Sequence, residues 1–94
     1  MVFKGVVYNI NQKDFFTQLV FKKKVKDRFG FVCYSAYGEQ SKKIAELKIE
    51  KGDEVRLEYE LFSKKHLENY YTTAVVQEIQ LVSKSLKSLF ENIP

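Results

Sequence analysis

Over residues 54–61 the chain alternates without a break, with Val55, Leu57, Tyr59 and Leu61 interleaved by Glu54, Arg56, Glu58 and Glu60. Successive side chains of a strand face opposite sides, so this period reads as a strand with one dry and one wet face. Lys51-Gly52-Asp53 ahead of it is a turn signal. A half-buried strand needs partners, and the rest of the chain supplies them. Residues 2–11 are rich in β-branched and aromatic side chains, with Gly5 marking an expected bulge or sharp coil. Residues 15–25 and 28–37 read as a second and a third strand joined by a hairpin turn at Lys26-Asp27. Residues 70–82, again β-branched and aromatic, are the fifth strand, and residues 63–69 are read as the loop before it. Residues 39–47 place Ile44, Ala45 and Leu47 among good helix formers after Gly38, which predicts one short helix.

Strand, strand, strand, helix, strand, strand is the order of the OB-fold, an all-β, five-stranded Greek-key barrel with its helix between strands 3 and 4. A five-stranded barrel of the SH3 type is the rival, and the position of the helix favours the OB order. With 94 residues, no proline before Pro94, no repeat and no Gly/Ser linker, the expected organisation is one domain over 1–82 and a short tail over 83–94. In that tail Leu86, Leu89, Phe90 and Ile93 recur at helical spacing. A helix of about three turns is marginal alone, so this amphipathic face is expected to cap its own barrel or to dock on a second copy or another protein.

Charge narrows the function classes. The net charge is +4, and residues 13–28 alone hold six basic side chains (Lys13, Lys22, Lys23, Lys24, Lys26, Arg28) against Asp14 and Asp27. The whole excess therefore falls on the second and third strands, where an OB-fold presents ligand-contacting residues. A polyanion is the implied partner; lysines guarding a sheet edge give the same pattern. A single cysteine, Cys33, allows neither an intrachain disulfide nor an all-cysteine zinc site, which fits a reducing cytosol, the host's if the protein is viral. Apolar runs never exceed four residues, so neither a signal peptide nor a membrane span is expected.

The segment Phe31-Val-Cys-Tyr-Ser-Ala-Tyr-Gly38 resembles the third strand of bacterial and phage single-stranded DNA-binding proteins, where an aromatic just before a glycine leads into the helix. Ile44-Ala45-Glu46 in the helix, the Lys51-Gly52-Asp53-Glu54-Val55 turn and the final strand at Tyr71-Thr-Thr-Ala-Val-Val76 follow in family order, over a little more than half the chain. The resemblance implies sequence-tolerant binding of single-stranded DNA in phage or bacterial replication or recombination. The chain departs from the family at Tyr59, where a glycine is usual, in having no tryptophan, and in lacking the acidic C-terminal tip that recruits replication partners. These departures mark a divergent, phage-type or accessory member, with the apolar tail as the expected route to a replication or recombination protein or to a dimer.

The resemblance places Phe31, Cys33, Ser35 and Tyr37 on the ligand face of the third strand and Val32, Tyr34 and Ala36 in the core. Aromatic rings on an open face suit base stacking, which tolerates any sequence. The alternative, one residue out of register, puts Phe31 and Tyr37 in the core. In the second strand Leu19 and Phe21 read as buried, which leaves Phe16, Gln18, Val20, Lys22 and Lys24 on the opposite face, with Lys22 and Lys24 as phosphate contacts or as solvated lysines at a hairpin tip. In the loop over 63–69, Lys64 and Lys65 are expected to close over a strand with Tyr70 stacking at the base, or to form a polar loop without ligand, while Tyr71 is expected to pack. An RNA-binding module and a non-binding adaptor domain are the alternatives to DNA binding.

Catalysis finds no support in the residues. One cysteine, one histidine and no motif around Ser35 or Ser63 leave no activated nucleophile with its base. Glu58 and Glu60 share the wet side of an amphipathic strand, and the glycines at 5, 30, 38 and 52 form no phosphate loop. His66 has no partner at ligand spacing, so neither a metal nor another cofactor is expected.

Overall fold

The computed structural model describes residues 1–85. They form β1 (Val2–Gln12), β2 (Phe16–Val25), β3 (Arg28–Tyr37), α1 (Glu39–Glu46), β4 (Glu54–His66) and β5 (Asn69–Ser83). The strands close into a barrel in the order β1-β2-β3-β5-β4. Four of the pairings are antiparallel, and a parallel bridge between Ser35 and Val75 closes β3 on β5. The expected all-β architecture with its helix between the third and fourth strands is borne out. The helical stripe expected at Leu86, Leu89, Phe90 and Ile93 lies outside the described residues.

The core follows from the two-residue period. Val7, Leu19, Phe21, Tyr34, Leu57 and Ile79 point inward from the five strands, and Ile44 from α1 and Ile49 after it close one end. Removing this apolar surface from water drives the closure. Tyr34 brings a ring and a hydroxyl into that space, 4.9 Å from the ring of Tyr59 and 5.6 Å from that of Phe21. Burial, reinforced by the neighbouring phenol of Tyr59, pushes the Tyr34 hydroxyl up to about 12. The helix is tied down at its polar positions: Thr17 Oγ1 and Ser41 Oγ share a hydrogen bond of 2.6 Å, and Lys43 pairs with Glu78 on β5. Ala45, counted by the sequence pattern on the apolar side, is exposed.

Two expectations are corrected. Gly5 is not a bulge; it pairs in register with Val55, and the irregularity of β1 lies between Val7 and Asn9. What Gly5 provides is room, because a Cβ there would stand 2.8 Å from the ring of Phe3. Gly5→Ala is therefore expected to lower stability by about 1 kcal/mol through overpacking, visible as a lower melting temperature. An unchanged melting temperature would show that the Phe3 ring swings aside without cost.

The second correction concerns residues 63–69, which are not a loop. β4 runs on to His66 and β5 begins at Asn69, so only Leu67 and Glu68 turn, Leu67 with φ 56°. Every residue from 60 to 73 is exposed, and the two strands leave the barrel as a two-stranded arm. Tyr71, expected to pack, lies on this arm and is exposed as well. A polar, short-patterned segment can be a strand here because neither face of the arm is covered.

The turn before β4 joins three parts of the chain. The Val7 N–H donates to the Asp53 carbonyl at 2.9 Å and the Gly52 N–H to the Val7 carbonyl at 2.8 Å. Gly52 sits at φ 97°, and a Cβ there would stand 2.9 Å from Ser85 Cβ, so glycine is required on both counts. The Asp53 carboxylate is fully buried and accepts from Lys84 Nζ and from the backbone N–H groups of Glu50 and Ser85.

Candidate nucleic-acid interface

β2 and β3 pair along their full length, so opposed residues share a face. The inward set pairs Thr17 with Ala36, Leu19 with Tyr34 and Phe21 with Val32. The outward set pairs Phe16 with Tyr37, Gln18 with Ser35, Val20 with Cys33, Lys22 with Phe31 and Lys24 with Phe29. Exposure decides the parity: Phe31 is 58% and Tyr37 45% exposed, against 3% for Tyr34 and 0% for Ala36. The register with Phe31 and Tyr37 in the core is excluded.

The outward rings are ordered in pairs. Phe16 and Tyr37 lie 5.3 Å apart between centroids at 32°, and Tyr8 of β1 and Phe31 lie 5.1 Å apart at 45°. Lysines stand over two of the outward rings, Phe29 and Tyr8. Lys22 Nζ is 4.4 Å and Lys24 Nζ 5.8 Å from the centroid of Phe29, and Lys51 Nζ is 5.3 Å from that of Tyr8. Such contacts hold ammonium groups beside the rings without neutralising them. The face thus offers flat apolar surface and positive charge side by side, and an exposed cluster of large apolar side chains of this kind marks a binding surface.

Of the eight expected residues, Phe16, Lys22, Lys24, Phe31 and Tyr37 are brought together on this face. Lys64, Lys65 and Tyr70 are on the β4–β5 arm instead, and they are divided. Lys65 lies opposite Tyr70 with Nζ 5.9 Å from its ring, whereas Lys64 lies opposite Tyr71 and so takes the other side of the arm. The expected closure of both lysines from one loop does not occur, because consecutive strand residues point apart. Ser35 is buried, 8% exposed, where β5 comes alongside to close the barrel, and so is withdrawn from the open face; Cys33 remains exposed in the middle of it.

Three residues of the face escaped the sequence reading. Phe29 follows from the parity of Phe31 and was available to it. Tyr8 was not, since the register shift between Val7 and Asn9 sets which way it turns. Lys51 reaches Tyr8 only through the fold, across the turn that Gly52 and Asp53 fasten to Val7. Among the described residues no three His, Cys, Asp or Glu side chains gather to hold a metal, and no helix is long and apolar enough to cross a membrane.

No protein-family model and no curated protein sequence matches the chain. Solved structures do. The mitochondrial single-stranded DNA-binding protein Rim1 of S. cerevisiae matches with a TM-score of 0.68 at 13% identity, over 90% of this chain and 94% of that one. A second crystal form of Rim1 gives 0.66 at 12% identity, over 90% and 93%. A small single-stranded DNA-binding protein from Mycoplasma pneumoniae gives 0.57 at 12% identity, over 92% and 95%. The barrel is an OB-fold. Likeness at this level of identity concerns architecture, so the expected resemblance to single-stranded DNA-binding proteins holds for the fold. In an OB-fold the outer face of the second and third strands, with the connecting loops, is a common oligonucleotide platform. The paired rings and lysines of this chain lie on that face of the OB barrel.

Proposed function

We propose that the protein binds single-stranded DNA without strict sequence preference. Bases stack on the Phe16–Tyr37 and Tyr8–Phe31 pairs and on Phe29, while Lys22, Lys24 and Lys51 meet phosphates. The observation that carries this reading is the pairing of exposed rings with lysines along one outer face of the barrel. Stacking needs the π-face of a base, which a duplex keeps inside its own stack, so the preference is for single strands. On the arm, Lys65 and Tyr70 supply a further cation and ring for a strand that extends beyond the barrel. That solved structures of the same fold belong to single-stranded DNA-binding proteins supports the choice of ligand. The biological setting we assign is the covering of single strands during phage or bacterial replication or recombination, with the C-terminal tail meeting a second copy or a protein of that machinery.

A fluorescence-anisotropy titration with single-stranded DNA, duplex DNA and RNA at two salt concentrations tests the reading. Single-stranded DNA is expected to bind far more tightly than duplex. Neutralisation of four phosphates by Lys22, Lys24, Lys51 and Lys65 predicts a log-log salt slope of about −3. Affinity unchanged between low and physiological salt removes the electrostatic part. RNA bound as tightly as DNA moves the assignment to an RNA-binding module, and binding to neither strand removes it.

A further inference from the structure

Resting on the nucleic-acid reading above, we propose that Asp53 is a positioning residue of the binding face, which couples Lys51 and Tyr8 on that face to residues 84 and 85 after β5. Residues 50–53 form a four-residue turn that Asp53 closes twice. Its N–H donates to the Glu50 carbonyl at 3.1 Å, and its carboxylate accepts from the Glu50 N–H at 2.8 Å. Lys51 and Gly52 are the two central residues, and Gly52 at φ 97° supplies the left-handed conformation such a turn takes in its third place. Hydrogen bonds from Gly52 to the Val7 carbonyl and from Val7 to the Asp53 carbonyl then seat the turn beside Tyr8, and the Lys51 ammonium comes to 5.3 Å from that ring.

The same carboxylate holds the chain after β5. Lys84 Nζ donates to Asp53 Oδ2 at 2.7 Å and to the Lys48 carbonyl at 2.8 Å, and the Ser85 N–H donates to Asp53 Oδ1 at 2.8 Å. Oδ2 thus serves the Glu50 N–H and Lys84 together, so displacing Lys84 takes the closest cation from a carboxylate that has no exposed surface. A buried carboxylate without its cation is costly, and turning it out to water relieves that cost by opening the turn. Lys51 then loses its seat over Tyr8, and with it a phosphate contact of the binding face. Coupling of this kind is mutual. A strand held at Lys51 and Tyr8 keeps residues 84 and 85 on Asp53, and a partner that draws those residues away loosens the strand by the same factor.

The test measures single-stranded DNA affinity by anisotropy at two salt concentrations for the wild type, Asp53→Asn, Lys84→Met, Lys51→Ala and Phe16→Ala, and for the double variants that join either of the first two substitutions to either of the last two. Charge alone would send Asp53→Asn and Lys84→Met in opposite directions, since one removes a negative and the other a positive side chain. Positioning sends both the same way: each is expected to weaken binding by about three- to tenfold at low salt and to bring the salt slope from about −3 to about −2, the loss of one phosphate contact. Neither is expected to weaken binding further once Lys51→Ala is present. Both should add in full to Phe16→Ala, because Phe16 lies five residues along β2 from Phe21, the partner of Val7, or about 16 Å away. A residue that only held the fold together would weaken both parts of the face alike. Melting curves set a temperature at which the variants are folded, and Lys84→Met, which keeps the carboxylate and changes a partly exposed side chain, decides the question if Asp53→Asn does not fold. Opposite signs, or losses fully additive with Lys51→Ala, overturn the coupling and leave the stacking face standing. A wild type that binds no single strand overturns the site and this inference with it.

Discussion

Phe31→Ala and Tyr37→Ala are each expected to weaken single-strand binding by about 1 to 3 kcal/mol, the cost of one lost base–aromatic stack, while the melting temperature stays close to that of the wild type. The reasoning is a separation of faces. Both rings are about half exposed and lie against other outward rings, Tyr8 and Phe16, rather than against the core. Tyr34, three residues from each of them, is the contrast: it is buried among Phe3, Phe21 and Tyr59, so Tyr34→Ala should cost about 3 kcal/mol or more in stability. Tyr8→Ala belongs with Phe31→Ala, because its ring is the other half of that pair. Lys22→Ala should cost less than any ring, and mostly at low salt, since an exposed phosphate contact is screened. If Phe31→Ala instead lowers the melting temperature sharply with no separate loss of binding, the ring is part of the folding unit and the stacking face is wrong.

How far this face can be read from sequence depends on whether a covered side enforces the pattern. Over residues 54–59 one side is buried, so the period of two appears in the residues themselves, whereas residues 28–31 are exposed on both sides and β3 shows no clean alternation; its outward rings Phe31 and Tyr37 are legible through the resemblance of residues 31–38 to single-stranded DNA-binding proteins. The β4–β5 arm has no covered side. With residues 60–73 all exposed, nothing demands alternation there, and Ser63-Lys64-Lys65-His66 carries the composition of a loop while pairing as a strand. Tyr8 is hidden for another reason. A single register shift between Val7 and Asn9 decides its direction, and a bulge leaves no periodic trace in one sequence. Lys51 is hidden because its place over Tyr8 is a tertiary fact, made by the hydrogen bonds that join Gly52 and Asp53 to Val7.

The turn before β4 carries a comparably large expected loss of stability: Asp53→Ala should cost about 3 kcal/mol, the scale for removing one partner of a buried ion pair. For a domain of this size that corresponds to a fall in melting temperature of roughly 15 °C. The carboxylate has no exposed surface and organises three donors, Lys84 Nζ at 2.7 Å and the backbone N–H groups of Glu50 and Ser85 at 2.8 Å each. Alanine leaves those N–H groups unanswered and Lys84 without its closest anion. Burial on its own would raise the pKa of this carboxyl, but the bonds from Lys84, Glu50 and Ser85 outweigh it and hold the group below its ordinary value of 3.8. A carboxyl that releases its proton more readily when folded stabilises the fold fully at pH values above that ordinary value, and the contribution is lost as pH falls below it. The melting temperature of the wild type should therefore be flat near neutrality and drop under acid conditions, and the gap to Asp53→Asn should narrow in the same window. Lys84→Met removes the ammonium while leaving the carboxylate buried, so its acid unfolding should begin at a higher pH than that of the wild type. A constant gap between wild type and Asp53→Asn from neutral pH down to strongly acid pH would show that Asp53 contributes shape and not charge, and that the turn closes on Ser85 without help from its ionisation.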